Sequence, residues 1–131
     1  MAPRSFLTPL LAAEGGRFTI RLSQSGRVVA DEIEDAFDSE SRRRGLLGRH
    51  RFDAGSAIIL APCNAIHTFF MRFPIDVLFA DRNGLILKAR ASVRPWRIAI
   101  AVRAYAVIEL PAGTLERARV TPGMSIEIVP V

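Results

Sequence analysis

Pro74-Ile75-Asp76-Val77-Leu78-Phe79-Ala80-Asp81-Arg82-Asn83-Gly84-Leu85-Ile86-Leu87-Lys88-Ala89-Arg90 is the stretch that decides the fold. Two apolar runs flank Asp-Arg-Asn-Gly, and Asn-Gly between such runs is a strong short-range hairpin signal, because both residues tolerate positive φ. Working outward, Ala57–Ala61 stops at Pro62 and Ile66–Phe70 is a second short apolar run, and both suit buried strands. Downstream, Ala104–Leu110 is another strand closed by Pro111, and Ala112–Arg119 has room for a short helix. Thr121-Pro-Gly-Met124 turns the chain into a last strand over Ser125–Val129. Upstream, Arg17–Leu22 alternates polar and apolar, Ser23-Gln-Ser-Gly26 is turn chemistry, and Val28–Phe37 is expected as a single second strand. Asp38 or Ser39 is placed to cap a short helix running to Leu47 and limited by Gly45 and Gly48.

Many short strands with frequent turns predict a mainly β class: an antiparallel β-sandwich or barrel-like, jelly-roll-like domain with one or two short helices. The helices are too few to cover both faces of a parallel sheet. A chain of 131 residues, half of them hydrophobic, suffices for one core. The expected organisation is a flexible N-terminal arm over 1–14, carrying Phe6, Leu7 and Leu10, and one β-rich domain over 15–131.

No apolar stretch is long enough for a transmembrane helix. Phe6–Ala13 makes a poor cleavable signal, broken by Pro9 and without a small-x-small site. The single cysteine, Cys63, excludes an internal disulfide and suits a reducing compartment, so a cytoplasmic location is expected, with a cleaved leader as the alternative. The net charge of +5 is carried by arginine with one lysine, Lys88. Guanidinium favours carboxylate and phosphate partners. No nucleic-acid module accompanies the charge, so nucleic acid is not the expected partner.

Several residues are candidates for chemistry. Asp76 opens an apolar strand, where a carboxylate must be paired or hydrogen-bonded. It can accept backbone N–H groups at the strand start, pair with an arginine, or act on a ligand. Glu109 poses the same problem inside Val107-Ile-Glu-Leu110, and alternation can place it on the solvated face with Ile108 and Leu110 inward. Cys63 and His67 are too few for zinc without further ligands, and no metal or cofactor is expected. As a nucleophile–base pair they would need a third group. Arg94-Pro-Trp-Arg97 holds the only tryptophan and can line a shallow pocket with stacking and anion contacts, or close the end of the sandwich. Arg42 and Arg49 flank Gly45-Leu-Leu-Gly48 as a candidate anion rim.

Three segments together resemble the family known as domain of unknown function 192: Arg42-Arg-Arg-Gly-Leu-Leu-Gly-Arg49, His67-Thr-Phe-Phe-Met-Arg-Phe-Pro-Ile-Asp-Val-Leu-Phe79 and Val107-Ile-Glu-Leu-Pro-Ala-Gly113. The resemblance spans about residues 17–129 and implies a compact β-sandwich or barrel-like fold without an established activity. Where that family commonly has Trp-Met-Lys-Asn-Thr, this chain has His67-Thr-Phe-Phe-Met71, and Met124 follows Gly123 where the family usually has aspartate.

The candidate ligand pocket is His67, Thr68, Asp76, Arg94 and Trp96. The expected function is a non-catalytic binding or accessory domain for a small anionic or sugar-like ligand or a protein partner. The alternative is a hydrolase using His67 and Asp76 as acid–base residues, with or without a metal; no nucleophile elbow, phosphate loop or dinucleotide fingerprint is present.

Overall fold

The computed structural model describes residues 4–13, 15–38, 46 and 48–131. The predicted hairpin forms as β6 (Ile75–Ala80) and β7 (Ile86–Val93), antiparallel, with Leu78 opposite Ala89. Asp81 builds its turn: its Oδ1 accepts the backbone N–H of Asn83 at 2.8 Å and of Leu85 at 3.0 Å. Gly84 closes the turn at φ +85°, and a Cβ there would sit 2.3 Å from the carbonyl oxygen of Ile126. Only glycine admits both that φ and that approach.

Around the hairpin assembles a five-stranded sheet, in which β3 (Glu32–Ala36), β4 (Ser56–Leu60), β9 (Ala106–Pro111), β6 and β7 are neighbours in that order. A three-stranded sheet, β10 (Ile126–Pro130), β1 (Phe18–Leu22) and β2 (Val28–Ala30), faces it, and β5 (Ala65–His67) pairs with β8 (Ile98–Ile100) as a separate ribbon. The short helices are α1 (Thr8–Ala12) and α2 (Thr114–Ala118). The class is therefore mainly β and sandwich-like, as expected.

Two details depart from the sequence reading. Val28–Phe37 is not one strand, because the chain changes sheets at Asp31, where the N–H groups of Asp31 and Glu32 both donate to the Gly55 carbonyl at 2.9 and 3.0 Å. And β3 runs parallel to β4, so the large sheet is mixed; the crossover through residues 37–55 supplies the length that a parallel connection requires. Of the helix expected from Asp38 or Ser39 to Leu47, residues 39–45 and 47 lie outside the described residues.

Apolar packing divides into two clusters on opposite sides of the five-stranded sheet. Ile59, Leu78, Ile108 and Leu110 face Ile20, Leu22, Val29, Ile126 and Ile128 of the small sheet. Ile58, Leu60, Val77, Phe79 and Val107 face a second cover made of Leu46, Phe52, Ile66, Met71 and Ala99. The molecule thus has three layers, with β6 and β9 buried along their whole length. Strands covered on both faces read as apolar runs rather than alternations. The N-terminal segment joins the first cluster through Phe6 and Leu7, both buried, and the Phe6 N–H donates to the Arg82 carbonyl at 2.7 Å.

Candidate functional site

Asp76 lies in the middle of this construction, with no solvent exposure. It shares the side of β6 occupied by Leu78 and Ala80, towards α2. Its Oδ1 accepts the Ser92 N–H at 2.8 Å, and its Oδ2 accepts those of Gly113 at 3.1 Å and Leu115 at 2.9 Å. The carboxylate therefore ties β7 and the start of α2 to β6, satisfying donors that a helix start leaves open.

Glu109 is the other acid of the central strands. It is 5% exposed, not on a solvated face, because its side of β9 is the side covered by the second cluster. Burial pushes its carboxyl from 4.5 up to about 7, while the nearby Arg49 guanidinium pulls it back down. Arg49 also donates to the Glu34 carboxylate at 2.5 Å. This half of the candidate anion rim is thus flanked by two acids; Arg42 lies outside the described residues.

The remaining pocket candidates converge on the outer ribbon. Thr68 is fully buried and clamps two loops together. Its hydroxyl donates to the Arg94 carbonyl at 2.6 Å and accepts the Arg97 N–H at 2.9 Å, while its backbone N–H donates to Arg97 and its carbonyl accepts the Trp96 N–H. The clamp sets Phe69 and Phe70 beside Trp96. Phe69 stacks on the indole with centroids 5.5 Å apart, Phe70 meets it edge-on at 4.6 Å, and His67 lies 4.8 Å from Phe69. The Nδ1 of His67 accepts the Phe69 N–H at 3.2 Å.

Phe70 and Trp96 hold left-handed backbone, φ +65° and +66°, yet they are 69% and 55% exposed. Bulky residues rarely occupy this region, and outliers of this kind cluster at functional sites. Below the rings, Ile66 and Ala99 turn inward, so their neighbours Ala65, His67, Ile98 and Ile100 form the outer face of the ribbon. Ile98, Ile100 and the following Val102 are exposed, extending the aromatic cluster into one apolar face. From Pro62 to Tyr105 the chain carries seven basic residues and two acids, Asp76 and Asp81, and these acids are the ones engaged with backbone N–H groups.

His67, Thr68, Arg94 and Trp96 are therefore brought together, whereas the single cleft containing Asp76 does not form: Asp76 is sealed within the fold and turned towards α2. The apolar run Ile66–Phe70 predicts a buried strand, and neither glycine nor asparagine marks the unusual φ of Phe70. Cavities of about 200 Å³ beside Arg49 and Phe52, and about 330 Å³ beside Asp31 and Arg117, include no residue of the ribbon face. Among the described residues no three His, Cys, Asp or Glu side chains are grouped to hold a metal ion, and no helix is long and apolar enough to cross a membrane.

The family model DUF192, described as an uncharacterised ACR, matches residues 20–128. A crystal structure from Sinorhizobium meliloti 1021, of a protein named as a candidate transcription regulator, is similar at 26% identity and TM-score 0.74, covering 88% of this chain and 97% of that one. A protein of unknown function from Novosphingobium aromaticivorans DSM 12444 shares the fold at 20% identity and TM-score 0.73, covering 85% and 83%. No curated protein matches the chain.

Proposed function

The chain belongs to that uncharacterised family, and we propose that this member is a non-catalytic binding module whose ribbon face docks an anionic partner. One observation carries the reading: Phe70 and Trp96 are held outward on left-handed backbone by the buried Thr68 clamp, amid arginines. A strained arrangement that leaves two large rings mostly exposed gains the folded chain little by burial, so its value lies in what the rings meet. Arg94, Arg97 and Arg103 are exposed on or next to the face, and long cationic side chains around an apolar centre favour a negatively charged counterpart. A hydrolase built on His67 and Asp76 would need the two in one cleft, and the oxygens of Asp76 are turned away to three backbone donors.

Trp96 is the chain's only tryptophan, so its emission reports from the centre of the face. Titration with polyglutamate, a single-stranded oligonucleotide and anionic vesicles is expected to give a saturable change, reversed by salt, with at least one of them. Unchanged emission with all three would overturn the proposal.

A further inference from the structure

We propose that the anionic partner of the ribbon face is the surface of a lipid bilayer, an assignment that rests on the binding reading above and names its occupant. The first observation is where exposed large apolar residues gather. Val102 is 80% exposed, Phe70 69%, Ile98 59%, Trp96 55% and Ile100 49%. These apolar groups lie on two loops and the outer side of one ribbon. A bilayer accepts a protruding apolar face without shape complementarity, whereas a protein partner would need a matching recess.

The second observation is the mixture of side chains. Nucleic-acid bases stack on aromatic rings and make no use of Ile98, Ile100 and Val102. Acyl chains accommodate aliphatic and aromatic groups alike, and Trp96 presents the ring type that settles at the headgroup boundary. The third observation is charge. Arg72, Arg94, Arg97 and Arg103 are exposed in the loops that bear the apolar residues, and no exposed carboxylate lies between Pro62 and Ala80 or between Arg82 and Tyr105. Their guanidinium groups can rise to lipid phosphates while their stems stay against the apolar face. The same charge would repel a second copy of this face.

The test is co-sedimentation of the full chain with vesicles of phosphatidylcholine alone and of equal parts phosphatidylcholine and phosphatidylglycerol, with Trp96 emission read in parallel. Binding to the anionic vesicles with a blue-shifted emission is expected, much weaker on neutral vesicles. Phe70→Ser and Ile98→Ser should each reduce the partition about tenfold, while thermal midpoints and far-ultraviolet circular dichroism stay close to wild type. Equal binding by wild type and both folded variants would mean charge adsorption alone and overturn the proposal. Vesicles that bind nothing, while polyglutamate or an oligonucleotide shifts the emission, would overturn the lipid assignment and leave the binding module standing. Silence with every probe would remove both.

Discussion

Replacing Asp76 with alanine removes the acceptor for three backbone donors at once. The carboxylate takes the N–H groups of Ser92, Gly113 and Leu115 at 2.8, 3.1 and 2.9 Å in a fully buried setting. A buried donor left without a partner costs about 1–3 kcal/mol, and bonds to a charged acceptor lie towards the upper end. Desolvation of the lost carboxylate is recovered in part, and water entering the small void can satisfy one donor, so the net loss for Asp76→Ala comes to roughly 3–5 kcal/mol. Asp76→Asn keeps the shape and one oxygen, which can serve Gly113 and Leu115, but turns an amide donor towards the Ser92 N–H, and should cost roughly 2–3 kcal/mol. Urea unfolding followed by circular dichroism gives both values from midpoints at constant slope. A stability within about 0.5 kcal/mol of wild type for Asp76→Ala, or a larger loss for Asn than for Ala, would contradict this role of the carboxylate. A catalytic or ligand-binding acid would show the opposite profile, a lost activity with little lost stability.

Glu109 predicts a pH dependence. Its folded value of about 7 lies above its ordinary 4.5, so its share of stability is full below about pH 4.5 and is lost as pH rises through about 7; the native state holds the proton longer than the unfolded chain. Unfolding free energy from this group should fall by on the order of 3 kcal/mol across that window, and Glu109→Gln should flatten the curve in urea titrations at several pH values. Arg49→Met removes the guanidinium that favours the charged form, and should steepen the same loss above neutrality while giving up only about 0–1 kcal/mol from its half-exposed pair with Glu34. Gly84→Ala should destabilise by at least about 2 kcal/mol, since a Cβ at 2.3 Å from the Ile126 carbonyl adds a clash to an unfavourable φ; thermal denaturation reads it directly. Thr68→Val keeps the volume but strands the Arg97 N–H, and should lower stability by about 1–3 kcal/mol together with a change in Trp96 emission.

What was legible in the sequence was local. Asn83-Gly84 between two apolar runs announces the β6–β7 hairpin, because the turn depends on residues next to one another. The break at Asp31 is not legible, since it depends on the carbonyl of Gly55 from a distant loop. Glu109 escaped for a related reason: alternation assumes that a strand has one wet face, and the third layer over the sheet removes it. The uninterrupted apolar character of Ala106–Leu110 around this one acid was the available signal. Of the site, Trp96 and its flanking arginines stand out by composition, His67 by its spacing from Cys63, and Thr68 by the family resemblance. Phe70 did not stand out, because its left-handed backbone is imposed by tertiary contacts rather than by a residue that prefers it. Asp76 was rightly singled out as needing partners, and those partners, supplied by β7 and the start of α2, are far away in sequence.

The measurement that bears most directly on the ribbon face is the affinity of Phe70→Gly for anionic vesicles, read from Trp96 emission. Glycine relieves a left-handed conformation that costs a bulky residue about 1–2 kcal/mol, against about 0.5–1 kcal/mol of added chain entropy and about 0.5–1.5 kcal/mol of ring contact with Trp96. The variant should therefore fold with stability close to wild type and bind at least about tenfold more weakly. Wild-type affinity in the folded variant would contradict the assignment of this face as the docking surface.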